Sequence, residues 1–189
     1  MNQLGSRPEP ASSPALAAAP AAHAAQSIDT LYREHFSFVW RSLRRLGVRP
    51  SSVDDALQDV FLVAHRKLGG FEGRSSHRVW LFAIGLRVAA EYRRRDGRLL
   101  LDNTAASLAS HDDKTLELRG RVQLLDSLLS VLSDEQRAVF VMADVEGFSA
   151  PEIAEALGEK LNTVYSRLRL GRQRFEDALA RHRRGQEHR

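Results

Sequence analysis

From Ile28 onward, the apolar residues of the chain recur with the three- and four-residue spacing of an α-helix. The clearest case is the segment 52–68, where one wide apolar face contains Val53, Ala56, Leu57, Val60, Phe61, Ala64 and Leu68. Similar stripes predict further helices over residues 28–47, 77–95, 121–132 and 133–147. No run of four or more residues combines strand-like alternation with hairpin turns. The pattern predicts an all-α protein.

Polar residues at the ends of these stripes predict where the helices begin. Serine followed three residues later by an acid or glutamine is typical of a capping box, in which each side chain satisfies a backbone N–H of the first turn. This spacing occurs in the pairs Ser52–Asp55, Ser133–Gln136 and Ser149–Glu152. Gly158 is placed to end the helix that begins after Ser149, and Asn162 is a predicted N-cap for the last helix.

Two segments lack the apolar residues that a core requires. Residues 1–27 are rich in Ala, Pro and Ser and cannot bury enough surface to offset their ordering entropy, which predicts a disordered tail. Residues 97–120 are polar apart from a short leucine patch, and they exceed the usual length of a loop within a domain. We therefore expect two small helical domains, 28–96 and 121–180, joined by the flexible linker 97–120 and followed by the basic tail 181–189.

The C-terminal domain contains a predicted helix-turn-helix. In its second helix, Val164, Leu168, Gly171 and Phe175 form one buried stripe, and the opposite side is polar and cationic. A helix that reads the major groove needs this combination of a packed back and a basic front. A solvated basic helix in a small bundle is the structural alternative. The candidate DNA-contacting residues are Asn162, Thr163, Tyr165, Ser166, Arg167, Arg169, Leu170 and Arg172.

Composition, charge and the motifs that are absent exclude several classes of function. The formal net charge of +4 favours an acidic partner only mildly, and the absence of cysteine excludes disulfides and thiolate metal sites. The sequence contains no HExxH pair, no glycine-rich phosphate loop after a strand and no GxSxG elbow, so no enzyme class is indicated. No metal site or cofactor is predicted. No segment contains the ~20 consecutive apolar residues that a membrane-spanning helix needs, so no membrane insertion is expected.

The segments "DDALQDVFLVAHRKL", "VWLFAIGLRVAAEYRRR" and "LLSVLSDEQRAVFVMADVEGFSAPEIAEALGEKLNTVYSRLRLGRQRF" resemble the bacterial extracytoplasmic-function sigma factors. The resemblance covers roughly residues 28–180, with the blocks in the order and spacing of that family. It implies that the first domain binds core RNA polymerase and melts the minus-10 element, and that the second reads the minus-35 element of promoter DNA. It also implies a cytoplasmic, nucleoid-associated protein, and an anti-sigma factor as a further partner.

The resemblance assigns roles to residues of the first domain. The surface of residues 52–68 away from the core would bind the polymerase, through Asp55, Gln58, Asp59, Leu62 and Arg66. Minus-10 melting would use the loop before residue 77 and the basic helix after it, through Phe71, Arg74, Arg87, Glu91, Arg94 and Arg95. Arg87 stands where the family often has asparagine, so the family's base preference does not carry over to this chain.

Two other functions remain open from the sequence. The chain could be a free-standing helix-turn-helix regulator whose N-terminal helices sense a signal or dimerise. It could also be an adaptor bundle that binds proteins only. A start of transcription that depends on core polymerase would separate the sigma factor from both alternatives.

Overall fold

The structure is a computed structural model, and it describes residues 27–102 and 113–187. Its α-helices are α1 (Ile28–Arg45), α2 (Val53–Lys67), α3 (His77–Asp102), α4 (Asp113–Ser130), α5 (Asp134–Phe140), α6 (Ala150–Leu157) and α7 (Leu161–Glu187). Short 3-10 turns at Pro50–Ser52 and Leu68–Gly70 flank α2, and a π-helix, Val141–Val145, continues α5. These residues contain no strand, so the predicted all-α class is confirmed. None of their helices is both long and apolar enough to cross a membrane.

The N-terminal domain, α1 to α3, packs around the predicted stripes. All the predicted stripe residues that lie in α2 are buried, and Leu68, in the 3-10 turn after it, is half-buried. They meet Leu31 and Leu43 of α1 and Leu81 and Phe82 of α3, each at most 1% exposed. Burial of such side chains contributes about 1.5–3 kcal/mol each and fixes which faces of α2 and α3 remain outside.

The C-terminal domain, α4 to α7, packs α7 against α5. Val164, Leu168 and Gly171 of α7 are buried as predicted, whereas Phe175 is half-buried and stacks on Phe140 with ring centroids 4.8 Å apart. Gly158 ends α6 in the left-handed conformation, with φ +66°. The turn to α7 is therefore short, and the two helices form the predicted helix-turn-helix.

Two of the predicted capping boxes are present and one is not. Ser133 with Gln136 begins α5, and Ser149 with Glu152 begins α6, each with both reciprocal hydrogen bonds. The Ser52 side chain makes no cap hydrogen bond because Ser52 belongs to the 3-10 turn that precedes α2. The prediction that Asn162 caps α7 was also wrong: α7 begins at Leu161, which puts Asn162 in its first turn.

Ser149→Ala should lower the free energy of unfolding by about 1 kcal/mol at neutral pH, measured by urea denaturation. The Ser149 hydroxyl and backbone N–H donate to one carboxylate oxygen of Glu152 at 2.6 and 2.8 Å, and these bonds hold the pKa of Glu152 below its ordinary value. The resulting stabilisation is complete above the ordinary glutamate pKa and is lost as pH falls through the lowered pKa. The cost of Ser149→Ala should therefore shrink in acid. Ser37→Ala, at an exposed site on α1, is the control, and an equal cost for both variants would contradict the capping role.

The helices extend further than the predicted domain boundaries. α3 continues to Asp102 and α4 begins at Asp113, so the linker prediction 97–120 was wrong at both ends. Residues 103–112 lie outside the described part of the chain. So does the predicted disordered tail, except Ser27, whose hydroxyl accepts a hydrogen bond from the backbone N–H of Thr30 and caps α1. The predicted basic tail is helical as far as Glu187.

The two domains lie in direct contact, which the sequence pattern did not predict. α3 contacts α6 and α1 contacts α4. Phe148, just before α6, sits edge-on to Phe38 and Phe82, with ring centroids 6.4 and 6.3 Å away. Apolar residues of both domains thus form one continuous core.

Candidate polymerase and promoter interfaces

The outer face of α2 combines carboxylates with an exposed leucine. Asp55, Gln58 and Arg66 are exposed, and Leu62 between them is 56% exposed. The buried stripe on the other side of α2 fixes this orientation. An exposed apolar side chain within a charged rim is a typical anchor for a protein partner. The face is suited to a basic helical surface.

Asp59, on the edge of the same face, has a second role. It is half-buried and accepts a 2.7 Å hydrogen bond from the Tyr92 hydroxyl of α3. Burial raises the pKa of Tyr92 to about 12, and the hydrogen bond to Asp59 and the charge of its carboxylate add to the rise. Asp59 thus links α2 to α3 through this hydrogen bond and also borders the α2 face.

The loop between α2 and α3 holds an aromatic cluster next to a cavity. Phe71 stacks on His77 with ring centroids 4.6 Å apart and lies 4.9 Å from the Trp80 ring. A cavity of about 330 Å³ is lined by this loop, by Trp80 and by Glu155 and Ala156 of α6. Arg74, also in its lining, is largely exposed and pairs with Glu72 at 3.0 Å. The loop thus offers an aromatic wall and a cation at one opening.

One side of α3 presents charged groups to solvent. Arg87, Glu91, Arg94 and Arg95 are all exposed, and the Arg95 guanidinium lies 5.0 Å from the centre of the Tyr92 ring. Arg93 points elsewhere: it is half-buried, donates to the Leu46 carbonyl and pairs with Asp134 of the C-terminal domain at 2.8 Å. Four of the predicted minus-10 residues therefore share one side of α3, while Phe71 and Arg74 belong to the loop.

The front of α7 is open to solvent. Tyr165 is 53% exposed and Leu170 40%, and Asn162, Ser166 and Arg169 are exposed with them. Thr163 is half-buried at the edge of this face. Gln173 is also exposed, one turn after Arg169, on the face that the sequence pattern placed opposite the buried stripe.

The arginines at the flanks of α7 form ion pairs with carboxylates of the C-terminal domain. Arg172 makes a bidentate pair with Asp144 of the π-helix, at 2.6 and 2.9 Å, and this bond raises the pKa of Arg172. Arg167 pairs with Glu159 at 2.8 Å. Arg169 has no such acceptor among the residues that the structure describes. The predicted residues thus divide into a free front and anchored flanks.

Comparison with protein families finds two matching models. Residues 31–99 match Sigma-70 region 2, and residues 122–175 match Sigma-70, region 4. The two matches fall on the N-terminal and C-terminal domains respectively. The three surfaces described above lie within these matched ranges.

Individual relatives agree with the family models. The chain is similar to the ECF RNA polymerase sigma factor SigE of Mycolicibacterium smegmatis, with 32% identity over 82% of this chain and 63% of that protein, so it spans less than two thirds of the length of SigE. It is 31% identical to the ECF RNA polymerase sigma factor SigM of Mycobacterium tuberculosis, over 84% of this chain and 82% of SigM.

A solved structure has the same fold. The sigma factor RpoE from Bartonella quintana, crystallised with the anti-sigma factor NepR, matches 79% of this chain and 96% of its own, with a TM-score of 0.61 and 26% identity. The sequence relatives, the matched regions and this fold agree on one family, and neither the free-standing regulator nor the adaptor bundle accounts for both matched regions. The chain belongs to the extracytoplasmic-function family of RNA polymerase sigma factors.

Proposed function

We propose that this sigma factor binds core RNA polymerase through the outer face of α2. It would melt the minus-10 element with the Phe71 loop and the charged side of α3, and read the minus-35 element with the front of α7. The observation that carries the proposal is that the outer face of α2, the charged side of α3 and the front of α7 are largely exposed while their backs form the core, with Asp59, Phe71 and Thr163 half-buried at the edges. None of these steps requires a catalytic residue from the chain itself.

The α2 face supplies the two components of a protein-binding surface. Asp55 offers charge to a basic partner, and Leu62 offers an apolar side chain that leaves water on binding. Asp59 contributes charge at the edge, but its hydrogen bond to Tyr92 limits its freedom to reach a partner. Gln58 and Arg66 complete the polar rim.

Melting of the minus-10 element would depend on stacking and charge. An unpaired base is stabilised by stacking on an aromatic ring, at about 1–3 kcal/mol per base. Phe71 provides such a ring, and Arg74 provides a cation for the adjoining phosphate. On α3, Arg87 beside Glu91 would present both donors and acceptors to the separated strand, and Arg94 and Arg95 would contact its phosphates.

Reading of the minus-35 element would divide between front and flank residues. Arg169 is free to reach a base edge, where a bidentate contact to guanine is the commonest specific contact. Tyr165 and Leu170 offer apolar surface suited to thymine methyl groups. Arg167 and Arg172 are already engaged with carboxylates, so we assign them to phosphate contacts that position the helix, together with Asn162, Thr163 and Ser166.

Arg169→Ala should weaken binding to the preferred minus-35 sequence by about 1–3 kcal/mol and relax the choice of one base pair. Arg172→Ala should weaken binding about equally for all sequences, because a phosphate contact carries no sequence information. Both variants are measured as polymerase holoenzymes in a competition assay on a randomised minus-35 library. An equal loss across the library for Arg169→Ala would assign Arg169 to phosphate instead.

The function as a whole is tested by run-off transcription. Purified chain plus core polymerase should start transcription at specific sites on fragments of its own genome, and core polymerase alone should not. Absence of any start that depends on the chain would refute the proposal. The same reaction reveals the promoter sequence.

A regulatory partner and a cellular location follow from the proposal. The related RpoE was crystallised with an anti-sigma factor, so we propose that an anti-sigma factor also regulates this chain. Polymerase and promoter DNA are both in the bacterial cytoplasm, so the proposed activity requires the chain to work there, on the nucleoid.

A further inference from the structure

The flank arginines of α7, Arg167 and Arg172, each lie near two carboxylates. Arg172 donates two hydrogen bonds to Asp144, from Nε at 2.9 Å and from Nη2 at 2.6 Å. These bonds raise the pKa of Arg172, and the charges of Asp144 and of Glu176, one helical turn later on α7, add to the rise. The single positive charge of Arg172 is therefore matched by two nearby negative charges.

Arg167 has similar surroundings. It donates to Glu159, in the turn before α7, at 2.8 Å. The pKa of Glu135 on α5 is lowered by hydrogen bonds from its own backbone N–H and from Ser133, and the charge of Arg167 contributes to the shift. Both flank arginines are thus largely neutralised by carboxylates of the C-terminal domain.

The arginine on the front of α7 differs from both. Arg169 is exposed, and within the described ranges 27–102 and 113–187 it forms no ion pair with a carboxylate. Arg174 donates to the neutral amide oxygen of Gln136 at 2.8 Å, a contact that leaves its charge uncompensated. The carboxylates therefore pair with the arginines that we assign to phosphate, and not with the one that we assign to a base.

The position of Asp144 depends on an unusual backbone. Asp144 lies in the π-helix Val141–Val145, where the Glu146 N–H donates to the Val141 carbonyl, five residues earlier, at 2.9 Å. Such turns are rare and occur frequently at functional sites. The Asp144 side chain is 26% exposed and that of Arg172 is 52% exposed. The pair thus lies at the surface, where a DNA phosphate has access to the guanidinium.

A phosphate that approaches Arg172 has to compete with Asp144. Phosphate and carboxylate both bind a guanidinium through two parallel hydrogen bonds, so an arginine that exchanges one for the other gains little. An arginine that keeps its carboxylate brings a negative charge close to the phosphate. An arginine–carboxylate pair has no net charge, so it also displaces few of the counterions whose release favours DNA binding.

We propose that Asp144 and Glu159 tune the DNA affinity of α7 by competing with phosphate for Arg172 and Arg167. This inference rests on the proposed function. The two carboxylates weaken binding to DNA of any sequence and leave the base contact of Arg169 unchanged. A genome offers about 10⁶–10⁹ non-specific sites, so a uniform loss of affinity reduces the fraction of the chain that is bound away from promoters. Stable binding then depends more on base contacts and on polymerase.

Asp144→Asn should tighten binding of the full chain to a random-sequence DNA duplex by about two- to fivefold, the range expected for an exposed ion pair. The slope of log affinity against log salt should become steeper by up to about 0.9, the value for one phosphate. Fluorescence anisotropy of the labelled duplex measures both quantities over a series of salt concentrations.

Asp177→Asn is the matched control, since it makes the same change at another exposed site on α7. Screening by salt should keep its affinity within about twofold of wild type. Unchanged binding of Asp144→Asn, with a circular dichroism spectrum like that of wild type, would overturn the inference. Weaker binding would overturn it as well, because it would show that Asp144 positions Arg172 for the phosphate.

The same measurement in Arg172→Ala shows whether Asp144 acts through Arg172. In that background, the gain from Asp144→Asn should fall to that of the Asp177→Asn control. An undiminished gain would mean that Asp144 simply repels DNA, and the competition would be refuted. Glu159→Gln tests the second pair, and its gain should disappear in Arg167→Ala. Absence of any gain from Glu159→Gln would overturn the inference for that pair.

A last measurement separates this inference from the proposed function. As polymerase holoenzyme, Asp144→Asn should select the same minus-35 sequence as wild type from the randomised library. A changed base preference would show that Asp144 acts on sequence reading, and would refute a uniform effect. Absence of run-off transcription with the wild-type chain would instead refute the sigma function itself.

Discussion

Replacing Asp55 with arginine is expected to weaken binding of the chain to core RNA polymerase by about 2–5 kcal/mol. Asp55 is exposed on the outer face of α2, one helical turn before Asp59 and two before Leu62. A reversed charge at this site would face the basic partner that we propose, with like charges brought together as water is excluded. Because Asp55 is exposed, the helical circular dichroism spectrum should match wild type, although the change should lower stability by about 1 kcal/mol, since Asp55 lies in the first turn of α2, where a carboxylate favours the helix dipole.

The control for Asp55→Arg is Asp177→Arg, which changes the net charge equally at an exposed site on α7. Binding is measured by fluorescence anisotropy with core polymerase and no DNA, which removes any contribution from promoter contacts. Equal losses for both variants would show a general charge effect and would contradict a polymerase site on α2. Asp59 is a less suitable site for this test, since its substitution also breaks the hydrogen bond from Tyr92.

The periodicity of apolar residues was sufficient to predict the all-α class and the inner faces of α2 and α7. The stripe of α2 and the Val164–Leu168 stripe of α7 are buried where the spacing placed them. This succeeds because a helix in a small domain must bury one face, and the 3.6-residue period fixes which residues share it. The exposed faces of α2 and α7 were therefore also predictable as the opposite sides.

The capping boxes were predictable only where the backbone of the capping serine itself is extended. Ser133 and Ser149 have ψ values of 162° and 154°, which place their hydroxyls over the first turn. Ser52 has ψ −3° because Pro50 begins a 3-10 turn that runs directly into α2. Its hydroxyl therefore makes no hydrogen bond to a backbone N–H of the first turn of α2. The serine-to-acid spacing is the same in all three, and the difference lies in the residues before it.

The length of α3 and the contact between domains could not be read from local patterns. Beyond Asp96, α3 continues through Gly97, since a single glycine in a helix costs only about 1 kcal/mol. Arg45 and Glu146 form an ion pair between the domains but are separated by 101 positions, and neither lies in a motif that identifies the other as its partner. Such pairs follow from the tertiary arrangement. For the same reason, the sequence did not predict that Asp144 pairs with Arg172 at the flank of α7.

Phe82→Ala should lower the free energy of unfolding by about 3–5 kcal/mol, which is a large part of the stability of a domain of this size. Phe82 is 1% exposed and lies where the core of the N-terminal domain meets Phe148. Its loss leaves a cavity that α1 and α2 cannot fill without shifting. Urea denaturation followed by circular dichroism measures the change. Val122→Ala, at a residue 49% exposed on α4, is the control and should stay within about 0.5 kcal/mol of wild type.

A double-mutant cycle with Phe148→Ala tests whether the domains unfold together. The Phe82 and Phe148 rings meet at 82° in an edge-on pair, worth about 0.5–1.5 kcal/mol beyond their buried area. If the contact between the two domains persists in the free protein, the double variant should therefore lose less stability than the two single changes added. Strict additivity would mean that the rings do not meet in solution. Such a result would also mean that the Arg78 guanidinium lies against Phe38 alone, because Phe148 approaches it only while the domains are in contact.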